Sequence, residues 1–275
     1  EISECLVGSE MCIRDRGIYT AITAGFVISF LGGSRVQIAG PTAAFATIVA
    51  GIVAKNGMDG LIIATLLAGV ILILMGLFRL GNLIKFIPYT ITTGFTSGIA
   101  VTILIGQIKD FMGLTIVSEE PLIETMDKLK AVFQFISTTN LQALLVGVIS
   151  LLILIVWQYL PGFCKKIPPS LIAVLVGSAM VALLNMNVNT IGDLYEISNK
   201  LPTISLPSFS LKTVQNVLPD AFTIAILAAI ESLLSCVVAD SMVNSRHRSN
   251  MELIAQGAGN ITSALFGGIP ATGAI

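Results

Sequence analysis

The sequence predicts an all-α polytopic membrane protein in which short strands precede two half-helices. Hydrophobic residues make up 55% of the 275 residues and charged residues only 11%, whereas roughly a quarter of the residues of a soluble domain are charged. Uncharged runs of about 20 residues recur along the chain, and a helix of that length crosses the hydrocarbon core of a bilayer. Glycine and proline interrupt two of these runs. We therefore expect most of the chain to lie in a lipid bilayer.

The two ends of the chain differ from the rest. Residues 1–16, EISECLVGSEMCIRDR, have neither helical periodicity nor the charged-then-apolar layout of a signal peptide, and they resemble a translated sequencing adapter. At the other end the chain stops at Ile275, directly after a Pro-x-x-Gly turn. We interpret 1–16 as a non-native stretch and 17–275 as a partial transmembrane domain.

Charged residues divide the remaining chain into hydrophobic segments. There are eight, covering residues 17–34, 36–54, 60–78, 86–108, 131–164, 167–192, 221–239 and 253–275. If successive segments cross in alternate directions, the connections that hold Arg35, Arg246 and Arg248 lie on one side, and the acidic connection 109–130 lies on the other. The positive-inside rule places the arginine-rich side in the cytoplasm. We therefore predict a multi-pass protein of the inner (plasma) membrane.

The cysteines, the histidine and the net charge argue against several other classes of protein. The four cysteines have no CxxC spacing, and His247 has no cysteine or histidine at ligand spacing, so we expect no disulfides, no metal site and no organic cofactor. His247 stands between two arginines, and we expect it to be a solvated loop residue. A net charge of −1 without a basic run argues against binding nucleic acid.

The segment 36–54 is interrupted by the pair Gly40–Pro41. A residue before proline is pushed out of the α region, so we predict that 36–40 is extended. Proline suits the first turn of a helix, where its missing N–H has no cost, so we predict a helix over 41–54. At 1.5 Å per residue that helix is ~21 Å long and too short to span. Its N-terminus is therefore expected near the membrane midplane.

The C-terminal tail repeats this pattern. In LGGSRVQIAGPTA from Leu31 and in FGGIPATG from Phe266, a Gly-Gly pair precedes a β-branched residue, a proline and a threonine. Gly/Pro-broken segments in corresponding halves of a chain indicate the binding site of a transporter, and two facing helix N-termini attract an anion. The alternative is that Gly40–Pro41 only kinks an ordinary packed helix, which membrane proteins tolerate.

Glu231 is the one acidic residue in the middle of a hydrophobic segment between residues 17 and 275. A carboxylate at that depth is costly, so such a residue usually faces a cavity and has a function. Ser235 lies one turn further along the same helical face. Two roles fit Glu231, namely a protonatable coupling site or a structural carboxylate paired with a donor elsewhere. No second acid or base lies in a span to form a catalytic dyad, which argues against a membrane enzyme.

Several motifs together carry a resemblance to a known family. They are GIYTA at 17–21, GGSR at 32–35, VQIAGPTAAF at 36–45, IESLLS at 230–235, and the stretches 252–260 and 266–275. Together they resemble the sulfate permease (SulP) family, over essentially all of the chain from Gly17. The family signature normally opens with Pro-x-Tyr, whereas Arg14, Asp15 and Arg16 stand here. This departure fits a chain that is truncated at both ends.

The resemblance implies a seven-plus-seven inverted-repeat fold divided into a core and a gate, with the gate over 88–186. On that pattern the chain carries about spans two to nine and the start of ten, without the last helices and the STAS domain. In the family the anion lies between the N-termini of the third and tenth helices, and the coupling carboxylate, here Glu231, lies on the eighth. The corresponding anion-binding positions are Ala39, Gly40, Pro41, Thr42, Ala43, Ala271, Thr272 and Gly273.

We therefore predict secondary active transport of a small anion, either sulfate, bicarbonate or a dicarboxylate, by alternating access. Family members with bicarbonate specificity and sodium coupling tend to carry Asp at the position of Glu231. A proton is therefore the expected coupling ion and sodium is the alternative, with Ser235 beside the coupling carboxylate. The runner-up is an anion exchanger or an uncoupled anion channel of the same fold. The resemblance also implies a homodimer for the full-length protein.

Overall fold

The computed structural model describes residues 2–42, 45–86, 89–116, 125–157, 159–160, 167–190, 202–204, 207 and 210–274. Within these ranges the chain is mostly helical. The helices are α1 (Ile2–Leu31), α2 (Ala46–Leu77), α3 (Tyr89–Met112), α4 (Thr125–Gln134), α5 (Leu141–Trp157), α6 (Pro169–Leu183), α7 (Leu211–Val243) and α8 (Ser249–Leu265). The strands are β1 (Ile38–Gly40) and β2 (Thr272–Ala274).

The chain divides into two compact units. One unit comprises Glu1–Ile99 and Ile197–Ile275, and the other comprises Ala100–Glu196. The first unit contains both strands, and its core consists of small and branched apolar side chains of α2, α7 and α8. In the second unit Asn140, at the start of α5, donates from Nδ2 to the carbonyl oxygen of Asn187 beyond α6, over 2.7 Å. The start of α5 therefore lies beside the end of α6.

Several helices expose apolar faces of the kind that lipid covers. On α1 every fourth side chain, from Ile18 and Ile22 to Phe26 and Phe30, is exposed, and the two phenylalanines are 73% and 80% exposed. Two helices of the described chain, Ile48–Leu77 and Leu211–Val243, are long and apolar enough to cross a membrane, and three further apolar helices are shorter. This surface fits the prediction of a membrane protein.

The two strands form one small antiparallel sheet. Ile38 lies opposite Ala274, Ala39 opposite Gly273 and Gly40 opposite Thr272. The predicted extended conformation before Pro41 is confirmed for 38–40, because the proline ring keeps Gly40 out of the α region. The sheet therefore joins two parts of the sequence that lie more than 200 residues apart.

The helix predicted over 41–54 begins later than expected. The backbone N–H of Phe45 donates to the carbonyl oxygen of Thr42 over 3.2 Å, so a tight turn precedes α2, which starts at Ala46. A break then follows at Gly57, where φ is +68°, a conformation that glycine adopts without strain. The part of α2 before this break is roughly 16 Å long. It is too short to span a bilayer, as the sequence analysis predicted for this segment.

Other boundaries also differ from the predicted segments. α1 begins at Ile2, inside the stretch that lacks helical periodicity, because extending an existing helix costs much less than nucleating one. The segment predicted over 131–164 is not continuous, since α4 ends at Gln134 and α5 covers only Leu141–Trp157. α4 also lies partly inside the connection 109–130, where its Asp127 and Lys130 form an ion pair of 3.1 Å.

The connection between α7 and α8 is a folded loop, and the expectation that His247 is solvated was wrong. Its side chain is only 8% exposed. His247 Nδ1 lies 2.7 Å from Asp240 Oδ2, and Nε2 lies 2.9 Å from Ser249 Oγ. These partners at the end of α7 and the start of α8 draw the ring inward, because they satisfy both of its nitrogens.

Candidate functional site

The candidate site lies at the small sheet in which β1 and β2 pair. Ala39 pairs with Gly273 and Gly40 with Thr272, so the fold brings together positions predicted from two distant parts of the sequence. Thr272 is fully buried. The remaining predicted positions are Ala271, which directly precedes β2, Pro41 and Thr42, which follow β1, and Ala43, which lies outside the described residues.

The second half of the predicted site, Ala271 to Gly273, lies in and directly before a short strand, as predicted ahead of the second half-helix. Thr272 and Gly273 belong to strand β2, and Pro270 precedes this strand instead of beginning a helix. In the first copy of the pattern the proline follows the strand, at Pro41. The proline therefore follows the strand in the first copy of the pattern and precedes it in the second. Ala39 and Gly40 also contribute strand backbone, in agreement with the extended conformation predicted before Pro41.

The start of α2 follows β1 closely, because the N–H of Phe45 donates to the carbonyl oxygen of Thr42. The N-cap residue of α2 is Phe45, and no side chain caps the helix. The first N–H groups of a helix have no partner within it, and the helix dipole makes that end favourable for an anion.

Glu231 of α7 lies next to this segment. Its Oε2 accepts a hydrogen bond from Thr42 Oγ1 over 3.3 Å. Glu231 thus has a polar partner in the first segment predicted to bind the anion. A carboxyl group in this position can exchange a proton or accept a hydrogen bond. The next residue of α7, Ser232, binds β2.

Ser232 connects α7 to the second strand, and the sequence analysis missed this role. Its Oγ lies 2.9 Å from Thr272 Oγ1 and accepts from the backbone N–H of Gly273 over 2.9 Å. Ser232 is fully buried. The signal that could have revealed it is its position directly beside Glu231, on a helix whose small residues allow close approach.

Gln37 connects the first strand to the same helix and was also missed. Its Nε2 donates to the carbonyl oxygen of Ser232 over 2.9 Å, and its Oε1 accepts from Cys236 Sγ over 2.7 Å. α7 therefore binds the residue before β1 and the backbone of β2 within little more than one turn. A glutamine inside the apolar stretch VQIAG is the sequence signal that such a contact leaves.

Ser235 is not a partner of Glu231 in this structure. Its Oγ is buried and has no hydrogen-bond partner among the described residues. The two side chains share a helical face, as predicted, but the acceptor of the Thr42 hydroxyl is Glu231 alone.

Within the described part of the chain, no group of three or more His, Cys, Asp or Glu side chains is placed to hold a metal ion.

Apolar outward faces, a broken helix and a small sheet held by buried polar contacts define a polytopic helical membrane protein. This is the construction found in secondary transporters. A sequence model of the sulfate permease family matches residues 14–275. The chain belongs to the sulfate permease family, so the resemblance noted from its motifs is confirmed.

Two bacterial transporters are among the relatives of the chain. The chain is 43% identical over 94% of its length to YvdB of Bacillus subtilis, which is provisionally named a sulfate transporter, and it covers 48% of that protein. It is 33% identical over 94% of its length to the bicarbonate transporter BicA of Synechocystis, of which it covers 46%. The chain thus spans about half of the length of the curated relatives that it matches.

Solved structures have the same fold. The transmembrane domain of a cyanobacterial bicarbonate transporter BicA superimposes with a TM-score of 0.76 at 28% identity, over 99% of this chain and 74% of that one. Murine Slc26a9, an anion transporter in the inward-facing state, gives a TM-score of 0.78 at 19% identity, over 100% of this chain and 49% of that one. The second similarity concerns the fold alone.

Proposed function

We propose that the protein transports a small anion across the membrane, with sulfate and bicarbonate as the first candidates and a dicarboxylate as the third. The observation that carries this proposal is the 3.3 Å hydrogen bond between Thr42 and Glu231, at the point where the uncapped start of α2 meets α7. An anion attracted by the helix end would lie beside a carboxyl group that can bind a proton. The names of YvdB and BicA, which refer to sulfate and bicarbonate, support the substrate class.

The proposed anion site comprises Ala39, Gly40, Pro41, Thr42 and Ala43 on the first strand and turn. Its second half comprises Ala271, Thr272 and Gly273. Backbone N–H groups and hydroxyls are suited to oxyanions, because they donate hydrogen bonds without requiring a fixed counter-charge. Both sulfate and bicarbonate present oxygens that accept such bonds, so this chemistry favours a class of anions and not one member.

We propose that Glu231 couples transport to a proton. A carboxylate in a membrane span repels an incoming anion, and protonation removes that repulsion. The proton and the anion would therefore be loaded together and released together, which gives symport. Sodium is the alternative coupling ion, and Ser235, whose hydroxyl has no partner among the described residues, is the second group proposed at this position.

The proposed mechanism is alternating access. The segment carrying Thr42, Glu231 and Thr272 would expose the loaded site first to one side of the membrane and then to the other. An exchanger or an uncoupled channel of the same fold is the second candidate, because neither needs a proton at Glu231. We further propose that the full-length protein is a homodimer in the inner membrane.

The proposal is tested by uptake into proteoliposomes that contain the full-length protein. Labelled sulfate, bicarbonate and succinate are supplied separately, with an inward proton gradient, with an inward sodium gradient, or with neither. Symport predicts accumulation of one anion above its external concentration in the proton gradient alone. An exchanger requires anion inside the vesicles, and a channel follows the membrane potential. Uptake no greater than that of protein-free vesicles, for all three anions, would refute anion transport.

A further inference from the structure

Three polar side chains form a row along the buried face of α8. Glu252, Gln256 and Asn260 are spaced by four residues, so they lie above one another on one helical face, and each is fully buried. Burying such groups is costly unless they are hydrogen-bonded. Their partners therefore indicate what the row is for.

Asn260 binds the second strand in the way that a neighbouring strand would. Its Nδ2 donates to the carbonyl oxygen of Ala271 over 2.8 Å, and its Oδ1 accepts from the N–H of Ala271 over 2.9 Å. The second N–H of its amide donates to the carbonyl oxygen of Gln256 over 2.8 Å. The side chain thus uses both donors and its acceptor to fix the residue directly before β2.

Glu252 binds the stretch of chain that leads into β1. Its Oε2 accepts from the backbone N–H groups of Gly33 and Ser34, over 2.8 and 3.2 Å. Those residues begin the connection from α1 to β1. The N–H of Arg248 reinforces this contact by donating to the carbonyl oxygen of Gly33 over 3.0 Å. The path into β1 is therefore fastened to the first turn of α8.

Gln256 lies on α8 between Glu252 and Asn260, on the same helical face. Its Nε2 donates to Glu252 Oε1 over 2.9 Å. A methyl group added at Gly273 would meet the amide of Gln37 first and would lie 3.0 Å from Gln256 Nε2, so both amides pack against β2 at this residue. Gln256 Oε1 is buried without a partner among the described residues. The middle member of the row therefore supports the strand by contact, and its acceptor is left free.

We infer that Glu252, Gln256 and Asn260 are positioning residues for the proposed anion site, and that Asn260 sets the position of β2 within it. One rigid helix fastens the approach to β1 at one end and the approach to β2 about 12 Å further along. The pairing of Ala39 with Gly273 is thereby fixed from outside the sheet. This inference rests on the proposed function, because it concerns the geometry of the same site.

The test uses variants that remove the Asn260 contacts in steps. Asn260→Ala removes all of them. Asn260→Asp keeps the acceptor for the N–H of Ala271 but loses both N–H donors, and in its protonated form it regains one O–H donor of nearly the same shape. The affinity of Asn260→Asp for sulfate, relative to wild type at the same pH, should therefore recover as the pH falls. Glu231 and Glu252 are present in both proteins, so their titration cancels in this ratio.

The measurement is binding of potassium sulfate to the full-length protein in detergent by calorimetry, or of potassium bicarbonate where the wild type prefers it. Thermal unfolding is followed in parallel. We expect Asn260→Ala to weaken binding about tenfold or more, since a strand that shifts misplaces several donors at once. Gln256→Met is a milder variant for the case that Asn260→Ala does not fold, and it should weaken binding to a smaller degree.

Two controls separate position from stability. Thr262→Ala removes a hydroxyl of α8 that bonds only to its own helix, at Ala258. Leu72→Ala opens a cavity in the buried core of α2 without touching either strand. Both should keep wild-type affinity, although Leu72→Ala lowers the unfolding temperature.

The outcomes separate the two proposals. Wild-type affinity in Asn260→Asp at every pH, together with wild-type affinity in Gln256→Met, would overturn the inference and leave the proposed function standing. Equal loss of affinity in Leu72→Ala would also overturn it, because stability alone would then explain the effect. A wild-type protein that binds none of the tested anions would refute the proposed function, and the inference with it.

Discussion

At the scale of single residues, the site depends on side chains that serve two elements at once. Ser232 binds Thr272 and the backbone of Gly273 with one hydroxyl, while its carbonyl oxygen accepts from Gln37. Glu231, the neighbouring residue, binds Thr42. Two consecutive residues of α7 thus contact both halves of the candidate site. A change at either one should affect the site more than its own size suggests.

Replacing Ser232 with alanine should destabilise the fold and weaken anion binding together. The N–H of Gly273 would lose its buried acceptor, and a buried unsatisfied donor costs about 1–3 kcal/mol. Thermal unfolding and sulfate binding of the full-length protein measure the two effects. The matched control is Ser241→Ala, a serine of the same helix that is exposed and bonds only to Val238. Equal behaviour of the two variants would contradict the role given to Ser232.

Replacing Thr42 with glutamate should abolish transport while the protein still folds. Thr42 is only partly buried, and its hydroxyl lies 3.3 Å from the Glu231 carboxylate, so a second carboxylate here would repel both Glu231 and an incoming anion. Thr272 is unsuitable for this change, because it is fully buried. Uptake of labelled sulfate measures the effect, and Thr139→Glu in an exposed turn should transport normally. Uptake unchanged in Thr42→Glu would place the anion elsewhere.

At the scale of elements, the local sequence predicted the backbone conformation of a segment better than it predicted which other segment it pairs with. Gly40–Pro41 was sufficient to predict extended backbone before Pro41. The charge of Glu231 within an apolar segment was sufficient to select its helix as a candidate for the site. The pairing of β1 with β2 was beyond the sequence, because three-residue strands carry too little alternation to specify a partner. The start of α2 was misplaced because a turn at Thr42, which any helix-forming sequence can adopt, precedes it.

The members of the polar row on α8 were overlooked for a related reason. Glu252 stands just before the uncharged run that begins at Leu253, so it was assigned to a connection, yet it is fully buried. Gln256 and Asn260 carry no charge, so they do not interrupt the uncharged run from which the segment was predicted. Their spacing of four residues from Glu252 was the available signal, because it places all three on one helical face.

The contact between α2 and α8 provides a test of packing. A methyl group added at Gly257 would lie 2.5 Å from the carbonyl oxygen of Gly69, and one added at Gly69 would lie 2.7 Å from that of Gly257. Gly257→Ala should therefore force the helices apart and lower the free energy of unfolding by about 1–3 kcal/mol. Gly106→Ala in α3, which would meet no atom within 4 Å, should be neutral or stabilising by up to about 1 kcal/mol. Thermal unfolding in detergent compares the two.

Topology can be tested at the loop between α7 and α8. Because His247 is buried, the label belongs at its exposed neighbour, in Arg246→Cys, and the opposite side is represented by Lys130→Cys, whose side chain is 75% exposed. In a background without the natural cysteines, an impermeant thiol reagent added to intact cells should modify position 130 and not position 246. The reverse pattern would overturn the orientation that the positive-inside rule predicts.

At the scale of the whole molecule, exposed apolar helix faces are combined with buried polar side chains, which among the described residues lie in one unit. Both strands and the residues that bind them belong to the unit formed by Glu1–Ile99 and Ile197–Ile275. The other unit, Ala100–Glu196, overlaps the region 88–186 that the family resemblance assigns to the gate. Composition and charge were sufficient to predict a membrane protein, since both depend on averages over many residues. The exact contacts within the site depend on pairs that are distant in sequence, and averages do not specify these.

The most direct test of the account is proton-driven uptake by Glu231→Gln. Glutamine has nearly the shape of the protonated acid and cannot release a proton, so the variant should still bind the anion but lose the ability to concentrate it. Asp220→Asn, the same change of charge about three turns earlier on α7, is the control and should behave as wild type. Labelled sulfate uptake is measured in proteoliposomes of the full-length protein with and without an inward proton gradient. The account predicts that Glu231→Gln equilibrates sulfate equally in both conditions. Accumulation by Glu231→Gln in response to the gradient would contradict it and favour a structural role for Glu231.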